Sequence, residues 1–166
     1  MSVILGIDPG LTRCGVAVIE ASPGRTGVMH YVDVIKSEPS LSTVERIGMI
    51  SESLLELFSK YPIEAVALER VFSQANVRSV MGVAQISGVV FYMAHQKQLP
   101  IALYTPTQVK KAVTGHGRAT KQQVGSMVMK LFNLAEMPKP ADAADALAIA
   151  LCHAWNFNPA LVRKMD

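Results

Sequence analysis

Only two cysteines, Cys14 and Cys152, occur in the 166 residues, far apart and outside any C-x-x-C pattern. A disulfide framework is therefore excluded. Long apolar runs are also missing: the longest uncharged stretch, Ser79 to Gln96, is interrupted by Gln85, Ser87, His95 and glycines. It suits a buried helix rather than a membrane span. The opening MSVILGIDPG has no basic segment and meets Asp8 and Pro9 at once, so no signal peptide is expected. No glycine run leads into G-K-[ST], and no Ser, Cys or His arrangement suggests a covalent nucleophile. Repeats, low-complexity tracts and linkers are absent. Half of the residues are hydrophobic and the net charge is +3, which excludes disorder. The expectation is one reduced, soluble, cytoplasmic domain over residues 1–158 with a short tail, 159–166.

One further absence is local. Between Glu69 and Glu136 there is no acidic residue, while Arg70, Arg78, Lys97, Lys110, Lys111, Arg118, Lys121 and Lys130 all fall in that interval. The rest of the chain is net acidic, so the small overall charge hides a strong polarity along the sequence. Such segregation reads as a surface for a polyanion, most simply nucleic acid.

The apolar periodicity gives the frame. Val3–Ile7, Cys14–Glu20 and Val28–Ile35 read as three strands with short links, an antiparallel meander. Ser42-Thr43-Val44-Glu45 is a capping box. It opens a helix with Val44, Ile47, Ile50, Ser51, Leu54, Leu55 and Phe58 on one face, ending near Tyr61-Pro62. Ala65–Val71 is a strand, Val77–Gln98 a long apolar helix with small residues Gly82, Ala84 and Gly88, and Ile101–Tyr104 a fifth strand. Thr105-Pro106-Thr107-Gln108 and Thr120-x-x-Gln123 each start a helix, the first interrupted at Gly115-His116-Gly117 and the second running through Phe132. Ala141–Trp155 is a last helix. Together these make an α/β domain, a mixed five-stranded sheet flanked by helices.

Four carboxylates lie in apolar company: Asp8 ends the first strand, Glu69 lies at the far end of the fourth, and Asp142 and Asp145 begin the last helix. Unpaired burial of a charge is costly. If strands one and four are parallel neighbours, Asp8 and Glu69 emerge at the same sheet edge, where open α/β sheets bind ligands. Asp142 and Asp145, three apart, share a helix face. Convergence of these groups is tenable only with protonation or a cation, and all-oxygen ligation points to Mg²⁺, with Mn²⁺ as a substitute. Individually, Asp8 before Pro9-Gly10 also suits an Asx turn, and Asp142 and Asp145 also suit a helix N-terminus.

A carboxylate and divalent-metal site beside a basic surface implies phosphodiester hydrolysis by the two-metal scheme, with no covalent intermediate. The Gly115–Gly117 loop would bring Arg118 and Lys121 up to phosphate, with Lys110, Lys111 and Arg78 in the same basic stretch. Phe72, in a polar loop after Glu69, either stacks on an unpaired base or packs back on the core. His153 and Cys152 read as packing residues.

The segments ILGIDPG (4–10), ALERVF (67–72), QVK (108–110) with G-x-G (115–117), and ADAADALAIA (141–150) resemble, in order, the RuvC family of bacterial Holliday-junction resolvases. The resemblance implies a ribonuclease-H-like fold and a homodimer that cuts a four-way DNA junction symmetrically with Mg²⁺. It also implies partnership with a branch-migration complex, a junction-binding protein and a hexameric motor. By motif position, Asp8, Glu69, Asp142 and Asp145 match the catalytic, metal-binding carboxylates. Lys110 and Lys121 match DNA-contacting basic residues, and Phe72 matches an aromatic that stacks near the crossover. Two identical sites on a two-fold axis suit a nearly two-fold junction. The helix Val77–Gln98 is the candidate interface, or else a fully covered core helix. The rival readings are an actin-like ATPase fragment, a non-catalytic junction-binding module, and a ribonuclease acting on RNA–DNA hybrids.

Overall fold

A computed structural model describes residues 1–70 and 77–156, with the side chains of Val77 and Arg78 also outside the description. Strands β1 (Ser2–Asp8), β2 (Arg13–Ser22) and β3 (Arg25–Lys36) form the antiparallel meander. Strands β4 (Ala65–Glu69) and β5 (Ile101–Tyr104) then add in parallel on the other side of β1, giving the order β3-β2-β1-β4-β5. This is the mixed, helix-flanked sheet expected.

The pleat sorts side chains between two cores. Ile4, Ala17, Ile19, Ala65 and Ala67 face a cluster built on α3 (Pro106–Thr114), α4 (Lys121–Leu131) and α5 (Ala141–Asn156). Leu5, Ile7, Val16, Val18, Val66 and Leu68 face α1 (Thr43–Lys60) and α2 (Val77–Gln96). By the two-residue period, Gly6 and Asp8 of β1, Arg13 and Gly15 of β2, and Glu69 of β4 all belong to the α5 face. That parity decides which charges can meet.

The three capping boxes form as written, at Ser42/Glu45, Thr105/Gln108 and Thr120/Gln123. Several boundaries differ from the sequence expectation. The fourth strand ends at Glu69, although the Arg70 N–H still donates to the Tyr104 carbonyl at 2.8 Å; Val71, the end expected from sequence, lies outside the described residues. Helix α2 stops at Gln96 rather than Gln98, because Gln98 turns left-handed at φ 54°. On α1, Val44 and Leu55 point to solvent, and Ile50, Leu54, Leu57 and Phe58 make the buried face.

Helix α2 is not fully covered. Ile86, Val90, Met93 and Ala94 enter the core, while Met81, Phe91 and Tyr92 are exposed, with Ala84 and Gly88 between them on the open side. Of its small residues, only Gly82 makes a close approach: a Cβ there would stand 2.9 Å from the Leu11 side chain. His153 is buried and shares a 2.9 Å hydrogen bond with Tyr104. Burial pushes its imidazole down to about 4, so it is a neutral packing residue, as expected. Among the described residues, no helix is long and apolar enough to cross a membrane.

Candidate active site

The site is assembled by the register of β1. Ile7 pairs with Leu68, so Asp8 and Glu69 follow as the last residues of two parallel strands at one sheet edge. On its other side, Asp8 stands opposite Gly15 of β2. Helix α5 lies directly on these strands because they offer glycine where it crosses. A Cβ on Gly6 would sit 2.4 Å from the Ala146 carbonyl oxygen, and one on Gly15 would sit 2.1 Å from that of Asp142. Any side chain at either position would lift the helix. Held down, the first turn of α5 delivers its aspartates to the end of β1.

Asp8, Asp142 and Asp145 each present a carboxylate oxygen, all within 4.8 Å of one another. Glu69 is not part of that triplet but acts on it through space. Burial pushes the Asp8 carboxyl up to about 8, with Glu69, Asp145 and Asp142 adding to the rise and Lys121 opposing it. The Glu69 carboxyl is likewise raised, by burial first and then by Asp145, against Lys121 and Lys110.

Two protein cations sit on the cluster. The Lys121 Nζ donates to Asp145 Oδ2 at 3.2 Å, and Asp145 raises the ammonium pKa in return. The capping box at Thr120 fixes Lys121 as the first residue of α4 and so aims it at α5. On the opposite flank, Arg13 Nη2 stands 2.8 Å from Asp142 Oδ2. That oxygen is buried and receives no hydrogen bond among the described residues, so the contact with Arg13 is an ion pair without hydrogen-bond alignment. A close all-oxygen donor set, held against its own repulsion by protonation and by protein cations, is what a hard divalent ion would replace. The residues present therefore fit such an ion.

Of the residues the sequence nominates, Asp8, Asp142, Asp145, Glu69 and Lys121 come together, and Lys110 is near enough to act on Glu69. Lys111 and Arg118 are exposed and make no ion pair among the described residues. Phe72 and the Arg78 side chain lie outside the described residues. Sequence reasoning missed Arg13. The signal was available in the strand period, since Arg13 lies two residues before Gly15 and shares its face.

Residues 4–153 match the family model for the crossover junction endodeoxyribonuclease RuvC. The chain is 53% identical to the protein of that name from Parafrankia sp. (strain EAN1pec), over 96% of this chain and 89% of that one. It is 51% identical to the one from Leifsonia xyli subsp. xyli, over 92% and 73% of the two chains. Among solved structures, it superposes on T. thermophilus RuvC in complex with Holliday junction substrate with a TM-score of 0.88, at 37% identity, covering 93% and 94%.

Proposed function

The chain belongs to the RuvC family of crossover junction endodeoxyribonucleases, and from that premise we propose that it resolves four-way DNA junctions by metal-dependent hydrolysis at the Asp8 cluster. The observation that carries the assignment is the convergence of Asp8, Asp142 and Asp145 at the C-terminal end of β1, the central strand of a ribonuclease-H-like sheet. Mg²⁺ is the ion proposed, with Mn²⁺ as substitute, since hard oxygen donors suit both.

Asp8, Asp142 and Asp145 would hold the ion, and Glu69 completes the acidic wall. When bound, a divalent ion activates water and stabilises the charge on the leaving 3′ oxygen. The protein's own contribution is position and charge. Gly6 and Gly15 hold α5 against the sheet, so the aspartates keep their spacing. Lys121 and Arg13 compensate the cluster before the ion arrives. With the cluster's charge met by an ion, both cations would be available to phosphate oxygens, and Lys110, Lys111 and Arg118 on the α3–α4 side extend the basic surface. Arg78 and Phe72 are assigned to the DNA as well, the latter by stacking at the crossover.

A homodimer is part of the proposal, with the branch-migration proteins as further partners. Its support is the open face of α2, where Met81, Phe91 and Tyr92 flank the small residues Ala84 and Gly88. A second copy on this face would bury an apolar stripe and present two sites to the two opposed strands.

The test is amide substitution. Asp8→Asn, Glu69→Gln, Asp142→Asn and Asp145→Asn should each abolish junction cleavage while binding is kept or improved, because a negative charge facing phosphate has gone. Cleavage surviving in the Asp8→Asn protein would defeat the assignment, and a wild type that binds junctions but never cuts them would favour a binding module.

A further inference from the structure

Of the basic residues nominated from sequence, Lys110, Lys111, Arg118 and Lys121 lie on the α3–α4 side of the carboxylates, while Arg78 belongs to the start of α2 with its side chain outside the described residues. On the other side a groove of about 920 Å³ runs from Asp142 between the β1–β2 turn, the start of α1 and the start of α2. Among the described residues its charged lining consists of Arg13, Arg46 and Asp142, and Asp142 belongs to the proposed metal centre. Arg46 is half-buried and held by two hydroxyls: its Nη2 donates to Thr12 Oγ1 at 2.7 Å and its Nε to Ser37 Oγ at 3.0 Å. No carboxylate pairs with it among the described residues. The arrangement leaves a pre-oriented guanidinium with an uncompensated charge and spare donors, next to a proposed nuclease centre. Neutral hydroxyls would anchor the loops as well with an uncharged partner, so the charge itself calls for an anion.

Arg13 adds to this. Its side chain is 53% exposed and its present partner, Asp142, is a ligand of the proposed ion. An ion held by Asp142 would compete with Arg13 for that carboxylate, which would leave the Arg13 guanidinium available at the inner end of the same groove. Orientation of the reacting phosphate is improved by contacts to the strand on either side of it, and the described residues Lys110, Lys111, Arg118 and Lys121 all lie on one side.

We propose that this groove receives the sugar–phosphate backbone of the cut strand next to the scissile bond, with Arg46 and Arg13 as its phosphate contacts. The inference rests on the resolvase reading and extends it to a surface outside the lysine-rich side.

The test is junction binding in EDTA, followed by fluorescence anisotropy across a range of salt concentrations. Each phosphate contact contributes about 0.9 to the slope of log affinity against log salt. Arg46→Gln should lower that slope by about one contact and weaken binding severalfold. Arg46→Lys should retain the slope, and Ser37→Ala, which removes an anchor without touching the charge, should bind as wild type. An unchanged slope in Arg46→Gln, or a loss reproduced by Ser37→Ala, would overturn the proposal and leave Arg46 as a loop tie. Should Arg46→Gln fold poorly, Thr43→Glu places a carboxylate at the groove mouth, at a helix N-terminus that favours it. It must weaken binding, and wild-type affinity there would refute the groove. A wild type that does not bind junctions at all would instead overturn the resolvase reading, and the groove assignment with it.

Discussion

Replacing Asp8 by Asn should stabilise the metal-free protein, by an amount that grows with pH. Burial, then Glu69, Asp145 and Asp142, push the Asp8 carboxyl up to about 8, whereas an unfolded chain releases that proton near ~3.9. Between those values the native state holds a proton that the unfolded state has lost. Stability therefore falls as pH rises, and Asp8's contribution, whole below ~3.9, is lost progressively until the native carboxyl itself ionises. At ~1.4 kcal/mol per unit over the roughly four units up to about pH 8, the penalty has a ceiling of about 5–6 kcal/mol. Asn keeps the shape and never carries the charge. For a domain of this size ~1 kcal/mol moves the melting temperature by about 2–4 °C. Asp8→Asn should thus melt several degrees above wild type in EDTA at about pH 8, with the gap closing as pH falls toward ~4. Thermal unfolding by circular dichroism at both pH values reads this directly. Saturating Mn²⁺ should reverse the order, since only the intact cluster gains the binding energy. A wild type at least as stable as Asp8→Asn at the higher pH in EDTA would refute the claim that the carboxylates strain the fold.

The same proton makes metal binding pH-dependent: an incoming ion must displace it, so Mn²⁺ affinity should rise about tenfold per pH unit up to ~8 and then level off. A flat titration series would contradict it. Gly15→Ala would drive a Cβ into the Asp142 carbonyl at 2.1 Å, costing about 1–3 kcal/mol of stability and, through the displaced aspartates, about a hundredfold in cleavage. Wild-type cleavage by a folded Gly15→Ala protein would show that α5 need not sit so close. Phe91→Asp, on the open face of α2, should leave a monomer by light scattering and abolish paired nicking. An unaltered dimer would move the interface elsewhere.

What the sequence made legible follows from where local chemistry dominates. Capping boxes are local, and all three were readable at Ser42, Thr105 and Thr120. Asp8, Glu69, Asp142 and Asp145 stood out because charge in apolar runs is expensive, and the sheet order then brought them to one edge. Boundaries were less readable. Gln98 ends α2 by adopting a left-handed conformation that no residue type announces, and Val44 and Leu55 lie on the solvent side of a helix whose apolar stripe is wider than its buried one. Arg13 and Arg46 escaped notice for a different reason. Neither lies in the basic stretch; the strand period could have placed Arg13 on the face of Gly15, but the contact of Arg46 with Thr12 and Ser37 is created only by tertiary structure.

The central claim is tested most directly by incubating the protein with an end-labelled four-way DNA junction and with linear duplex of the same sequence, in Mg²⁺ and in EDTA. The account predicts paired, symmetric nicks on the junction alone, abolished by EDTA. Tight junction binding without cleavage in either Mg²⁺ or Mn²⁺ would contradict it, because the carboxylates gathered at the end of β1 would then not form a hydrolytic centre.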